Sequence, residues 1–392
     1  MQYTIERNAG QSAYLQLYLQ LRYHITEGLY PYGQKLPSKR LLAAETGTSV
    51  ITVQHAYDLL CEEGYAAARQ RSGYFVIYRP ADVLPAAEPA AFRSGWALNP
   101  VSIAQTAAAP GTANRAIGDA EATGPAVQAS QIPEDFPFSL FAKTMRSVIS
   151  KYGNRILVKS PNQGSPELRK ALADYLARSR GIRVTPQQIV IGSGAEYLYG
   201  LIVQLLGREK IYAVESPCYE KIPAVYKGHG VRCDALSMGP DGILTTELER
   251  TAARVLHVTP FHSFPSGVTA SASKRSEYIR WALSRDAVII EDDFDSEFTL
   301  STKHEDTVFS LEPLRSVIYL NTFTKTIAPS MRMGYMVLPQ ELVPLFQQRT
   351  GFYSCTVPVF DQYVLAEFIA GGDFERHINR VRRKRRQEQS GK

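Results

Sequence analysis

The sequence predicts an α/β protein with a smaller, mainly helical domain in front. A winged helix-turn-helix spans residues 1–79, a flexible linker 80–133, and a domain with a mainly parallel sheet 134–392. Three observations predict this. Capped helical patterns run straight into a hairpin pattern within the first eighty residues. An Ala-, Pro- and Gly-rich stretch then interrupts all periodicity. Beyond it, apolar runs of strand length alternate with helical patterns, as a parallel sheet with helical crossovers requires. A chain of 392 residues is too long for one ordinary core, so two domains and a tether are the default.

Tyr14, Tyr18, Leu21 and Ile25 recur at helical spacing, and Gly28 follows within one turn as a stop. After YPYGQ, Ser38 can cap a second helix whose buried face carries Leu41 and Leu42, and Gly47 breaks it. Ser49 caps a third, with Val53, Tyr57 and Leu60 on one face, Ser49, Thr52 and His55 turned elsewhere, and Gly64 as terminator. Two helices joined by a short Gly-containing turn form a helix-turn-helix signature. YAAARQ and GYFVIY then flank Arg71 and Ser72 as a hairpin, with Gly73 supplying the permissive backbone of its turn. That hairpin is the wing.

From Arg79 to about Pro133, PADVLPAAEPAA and TAAAPGTANRAIGDAEATGPAVQAS read as a tether. In the α/β region QIVIG, KIYAVE, RVLHVTP, AVIIED and SVIYLN read as strands. Each ends in residues capable of chemistry, and open α/β sheets hold their ligands at such carboxyl ends.

Hydrophobic content of 44% with 21% charged residues is that of a soluble globular protein. No run of about 18 apolar residues and no signal-like N-terminus occurs, so a cytoplasmic protein without membrane spans is expected. The four cysteines are scattered, without zinc-site pairing or disulfide density. The net charge of +6 is concentrated at the end, where Arg376–Lys392 carries eight basic residues against one acid. Residues 1–80 hold eight Lys or Arg against six acids, so bulk charge alone does not argue for DNA binding. As a charge run, the tail reads as a solvated face.

The strand ends carry the chemistry. Gly192, Ser193, Gly194 and Ala195 precede a helix whose N-terminal amides could hold a phosphate, although alone a Gly-Ser turn commonly just joins strand to helix. Tyr219 could lie against a ring. Glu291, Asp292 and Asp293 follow the apolar AVII, and acids delivered by a buried strand need a cation, a metal or a protonated nitrogen beside them. Magnesium suits such acids, but no P-loop accompanies them, and the metal reading ranks lower. NTFTKTIAPSMRMGY adds Thr322, Thr324, Lys325 and Arg332. A lone lysine reads as a surface charge. Four strand ends with complementary chemistry favour one joint reading, in which Lys325 anchors pyridoxal 5'-phosphate covalently and Asp292 keeps its pyridine nitrogen protonated. Thr322, Thr324, Arg332 and the Gly194–Ala195 turn then share the phosphate, with Tyr219 stacking on the ring.

LPSKRLLAAETGTSVITVQHAYDLLCEEGYAAARQRSGYFV resembles a GntR-type winged helix-turn-helix. GSPELRKALADYLARSRGI, TPFHSFPSG, EDDFDSEF and TFTKTIAPSMRMGY resemble a fold-type I aminotransferase. In that order the modules resemble the MocR/GabR family of pyridoxal-phosphate-dependent transcriptional regulators. The resemblance implies the same roles for Lys325, Asp292, Arg332 and Tyr219, and places His262 and Ser266 in the family's cofactor-side loop. It implies that Ser38, Lys39, Arg40, Ser49, Thr52 and His55 face double-stranded DNA, with Arg71 and Gly73 at the wing. It also implies an amino-acid-like effector and a head-to-tail homodimer, each reader lying against the partner's large domain. A working aminotransferase with an accessory DNA-binding domain is the alternative.

The chain departs from the pattern in places. Phe294 stands where the family commonly has a tyrosine, Lys159 where an aromatic is common, and Val50 where an arginine is frequent. The family's C-terminal small domain, with its carboxylate-gripping arginine, is expected to be incomplete here.

Overall fold

A computed structural model describes residues 3–5, 12–69, 72–78, 136–294, 296–298, 306–312 and 316–390. The expected linker and Arg71 lie outside the described residues. The reader comprises α1 (Ala13–Thr26), α2 (Lys39–Thr46), α3 (Val50–Glu62), β1 (Ala66–Arg69) and β2 (Gly73–Val76). Both expected caps form: Ser38 Oγ accepts the Leu41 N–H at 3.2 Å and Ser49 Oγ that of Thr52 at 3.0 Å. Leu17, Tyr18, Leu21 and Ile25 of α1 pack with Val53, Tyr57 and Leu60 of α3 in one buried cluster. Leu42 is buried but Leu41 is 53% exposed, contrary to the expected pair. The inward face of α2 falls between Leu42 and Ala43, which leaves Leu41, one position earlier, turned toward solvent. The wing pairs antiparallel, from Ala66 opposite Val76 to Arg69 opposite Gly73.

The larger domain opens with α4 (Phe138–Tyr152) and α5 (Pro166–Ser179), followed by β3 (Ile189–Gly192), α6 (Ala195–Leu206), β4 (Ile211–Ser216), α7 (Lys221–Gly228), β5 (Arg232–Gly239), β6 (Gly242–Ile243) and α8 (Thr245–Arg250). Next come β7 (Val255–Val258), α9 (Ala272–Arg285), β8 (Val288–Asp292), α10 (Val308–Leu311), β9 (Val317–Thr322) and β10 (Gly334–Val337). It closes with α11 (Leu342–Thr350), α12 (Val359–Ala370) and α13 (Asp373–Ser390). The eight-stranded sheet has the order β3-β10-β9-β8-β7-β4-β5-β6. From β9 to β5 all pairings are parallel, whereas β10 runs antiparallel to both neighbours and β6 antiparallel to β5. Strands β3, β7, β8 and β9 are buried along their whole length, which is why they read as continuous apolar runs.

The reversal at β10 positions the site. Its first residue, Gly334, lies opposite Thr322, the last residue of β9. The segment entering β10 therefore reaches the edge at which the parallel strands end, and Arg332 arrives beside them from the opposite chain direction.

In the basic C-terminal segment Arg376, Arg380, Arg383, Lys384 and Arg385 are exposed, as a solvated charge run predicts, but the helix that carries them is docked by its first turns. Phe374, His377 and Ile378 of α13 are buried, and His377 Nε2 lies 3.0 Å from the Thr326 carbonyl. Its arginines crowd one sequence window, but apolar residues spaced for one helical face dock it.

Within the chain the reader rests on its own larger domain. Arg22 pairs with Asp306, and Ala272 of α9 joins the reader's core. Gly64 sits so close that a Cβ there would lie 3.4 Å from the Ala272 nitrogen.

Candidate functional site

Backbone period two sorts the three consecutive acids. Asp292 faces a cavity of about 400 Å³ at the carboxyl edge of the sheet. Glu291 instead accepts the N–H groups of Val308 and Phe309, both at 2.8 Å, at the start of α10. Asp293 pairs with Arg180, whose guanidinium also donates to Ser296 Oγ at 2.5 Å. The EDD motif therefore does not converge on one point.

Around Asp292 the cavity collects Ala195, Tyr219, Thr322, Thr324, Lys325 and Arg332, all singled out from sequence. Gly194 completes the set. It precedes α6 with φ of +102°, and a Cβ there would sit 3.3 Å from Arg332 Nη2. Glycine thus supplies both the backbone angle and the room for the guanidinium. Arg332 itself has φ of +42°, an unusual conformation for a non-glycine residue. Lys325 Nζ lies 4.4 Å from the centre of the Phe294 ring, an arrangement in which the aromatic face attracts its ammonium. Tyr219 is 44% exposed at the mouth. His262 and Ser266 do not line the cavity, but their loop contributes Thr259 and Phe264.

Sequence reasoning missed the groups behind Asp292. Tyr199, on α6, donates its hydroxyl to Asp292 Oδ2, and burial together with that carboxylate raises its pKa well above the ordinary phenol value. His257 Nε2 lies 3.6 Å from the same oxygen, with its Nδ1 2.7 Å from the Tyr226 hydroxyl. Glu215, at the end of β4, accepts the Ser263 hydroxyl at 2.6 Å and the Thr259 N–H at 3.1 Å, tying down the cavity loop. Burial pushes its carboxyl up to about 7. Glu196 and Lys221 were missed at the mouth; only the burial pattern of α6 could have signalled the inward face carrying Tyr199.

The residues present fit a phosphorylated pyridine aldehyde. Asp292 is 4% exposed, and its Oδ1 has no hydrogen-bond partner among the described residues. A buried carboxylate oxygen left bare is costly unless a cationic donor meets it. A primary amine, an arginine and a helix N-terminus share that cavity.

In the reader, Arg40, Ser49 and His55 are exposed, whereas Lys39 and Thr52 are half-buried. The Ser38 and Ser49 hydroxyls are engaged as caps, and His55 packs edge-on against Tyr14, ring centres 5.8 Å apart. Lys39 donates to Gln54, whose amide also reaches the Tyr74 hydroxyl at 2.8 Å, linking α2, α3 and the wing. Val50 and Ile51 are exposed on the first turn of α3. Gly73 has φ of +104°, and a Cβ there would meet Lys35 Cε at 3.1 Å.

Residues 13–76 match the family of bacterial regulatory proteins of the gntR type, and residues 138–390 match aminotransferase class I and II. The HTH-type transcriptional regulator YdeL of Bacillus subtilis is 31% identical over 97% of this chain and 78% of its own length. The probable rhizopine catabolism regulatory protein MocR of Rhizobium meliloti is 30% identical over 97% of this chain and 76% of its own. The chain belongs to the MocR/GabR family of transcriptional regulators. As in that family, a GntR-type reader precedes an aminotransferase-like domain. This MocR/GabR protein resembles the Pyrococcus horikoshii kynurenine aminotransferase solved with PMP, at TM-score 0.58 and 26% identity over 63% of this chain and 64% of that one. Among the described residues no helix is long and apolar enough to cross a membrane.

Proposed function

We propose that this MocR/GabR regulator senses pyridoxal 5'-phosphate, alone or with an amino-acid-like effector, and that occupancy of the cavity biases how a homodimer presents its readers to double-stranded DNA. The observation that carries this is Asp292, buried, with an Oδ1 that has no hydrogen-bond partner among the described residues, lining the same cavity as Lys325 and Arg332. The cofactor supplies an aldehyde that condenses with an amine and a ring that withdraws electrons once its nitrogen is protonated. Asp292 would balance the charge of the protonated ring nitrogen, while Tyr199 fixes Oδ2. Thr322, Thr324, Arg332 and the amides after Gly194 would hold the phosphate, and Tyr219 would lie against the ring. An effector changes DNA binding only by favouring one arrangement over another.

Titration of the purified protein with pyridoxal 5'-phosphate tests the cofactor assignment. The internal absorbance band of a lysine-bound cofactor should develop in the wild type and be absent in Lys325→Ala. A wild-type spectrum without the band contradicts the proposal.

In the reader, the N-terminal turn of α3 is the element proposed to enter the major groove, with exposed Val50 and Ile51 suited to thymine methyl groups. Lys39 and Arg40 would hold phosphates, and the Gly73 wing would flank the duplex. Arg40→Ala should weaken operator binding and reduce the salt slope by about one, as expected for one lost phosphate contact. Gel-shift titrations at several salt concentrations check this, and an unchanged slope would remove Arg40 from the interface.

The alternative, a working aminotransferase, draws on Lys325 and Asp292 sharing one cavity. Sustained amino-group transfer between an amino acid and a keto acid by the purified protein would establish it.

A further inference from the structure

We propose that Glu196 is a resident counter-anion of the phosphate-binding corner and sets how much phosphorylated cofactor is needed to fill the site. This deepens the cofactor reading and rests on it. Glu196 lies one residue beyond Ala195 in the first turn of α6, where it lines the cavity mouth. Its Oε1 takes the Lys221 ammonium at 2.7 Å, and its Oε2 takes Arg332 Nη2 at 3.3 Å. Arg332 is the guanidinium packed against Gly194. One carboxylate therefore engages two of the cations that line the cavity, Lys221 and Arg332.

A phosphate entering there must take Arg332 from Glu196 or share it, with the carboxylate's negative charge nearby in either case. The ion pairs given up are partly exposed, so each is worth little alone. The repulsion is felt by every phosphate oxygen, and the two effects act in the same direction. Hydrogen bonding to Lys221 lowers the Glu196 carboxyl below its ordinary range, so it remains charged at neutral pH. For a sensor this has a use: a site with its own anion stays empty at low cofactor and fills reversibly as the concentration rises. Glu196 is thus an affinity-setting residue; the groups that grip the phosphate are Arg332 and the α6 amides.

The test compares wild type with Glu196→Gln and Glu196→Ala, using calorimetry at low ionic strength. The probes are inorganic phosphate, pyridoxal 5'-phosphate and unphosphorylated pyridoxal. Both variants should bind the two phosphorylated probes about tenfold more tightly, the scale expected for removing one nearby like charge. Pyridoxal affinity should stay within about twofold, since that probe carries no phosphate charge to repel. Raising the salt should shrink the gain. Unchanged or weaker phosphate binding in both variants overturns the proposal, as does an equal gain for pyridoxal. Inorganic phosphate keeps the two ideas separable. If it binds more tightly to the variants while no protein develops the lysine-bound band, the cofactor reading fails and the role of Glu196 stands.

Discussion

Arg180→Ala is expected to destabilise the aminotransferase-like domain by about 3–5 kcal/mol, the cost of leaving a buried carboxylate without its cation. The Arg180 and Asp293 side chains are 1% and 0% exposed. Burial alone would lower the arginine's pKa, but the Asp293 charge outweighs it and holds the guanidinium well above its ordinary value. The pair sits in a buried network. Tyr319 donates its hydroxyl to Asp293 at 2.7 Å, and Asn321 donates to Glu297 at 2.6 Å. Burial, reinforced by Asp293, pushes Glu297 up to about 7. Removing the arginine leaves the Asp293 carboxylate without its cation in a buried region it shares with Glu291 and Glu297. Urea unfolding measures the loss, and a change below about 1 kcal/mol would mean the network is compensated elsewhere. Replacing both partners, Arg180→Met with Asp293→Leu, should recover part of the stability, because the Asp293 charge is no longer stranded, although Glu297 still loses its cation and Tyr319 its acceptor. Asp293 directly follows Asp292, so the single variant should also loosen the end of β8.

Asp292→Asn is expected to weaken pyridoxal 5'-phosphate binding about 10- to 100-fold, equivalent to one charge-assisted hydrogen bond of about 1.5–3 kcal/mol. Asparagine keeps the size and can still accept the Tyr199 hydroxyl. It cannot compensate a protonated ring nitrogen, and the buried environment magnifies that difference. Equilibrium titration of the wild type and variant measures the ratio. Equal affinities would show that Asp292 does not meet the ring nitrogen.

Features that depend on neighbours in sequence were legible before the structure. Ser38 and Ser49 as caps, Val53, Tyr57 and Leu60 as one face, and the five apolar strands all follow from local spacing. Lys325, Asp292 and the Gly194 turn could be gathered because the strands they follow all end at the same edge. What escaped depends on long-range contacts. Tyr199 meets Asp292 across 93 positions and Arg180 meets Asp293 across 113. Strand β10 escaped because GYMV is short, and its antiparallel direction decides where Arg332 arrives. Leu41 was assigned to the buried face because composition names the residue type, while helical phase decides which residue faces the core.

The central claim is that Lys325 anchors a cofactor inside a DNA-binding regulator. Borohydride reduction of the cofactor-treated protein, followed by peptide mass mapping, tests it most directly, because reduction makes a bond between the cofactor's aldehyde carbon and an amine permanent. The phosphopyridoxyl mass should appear on the peptide containing Lys325. A fully modified protein carrying that mass on other lysines, with Lys325 untouched, would contradict it.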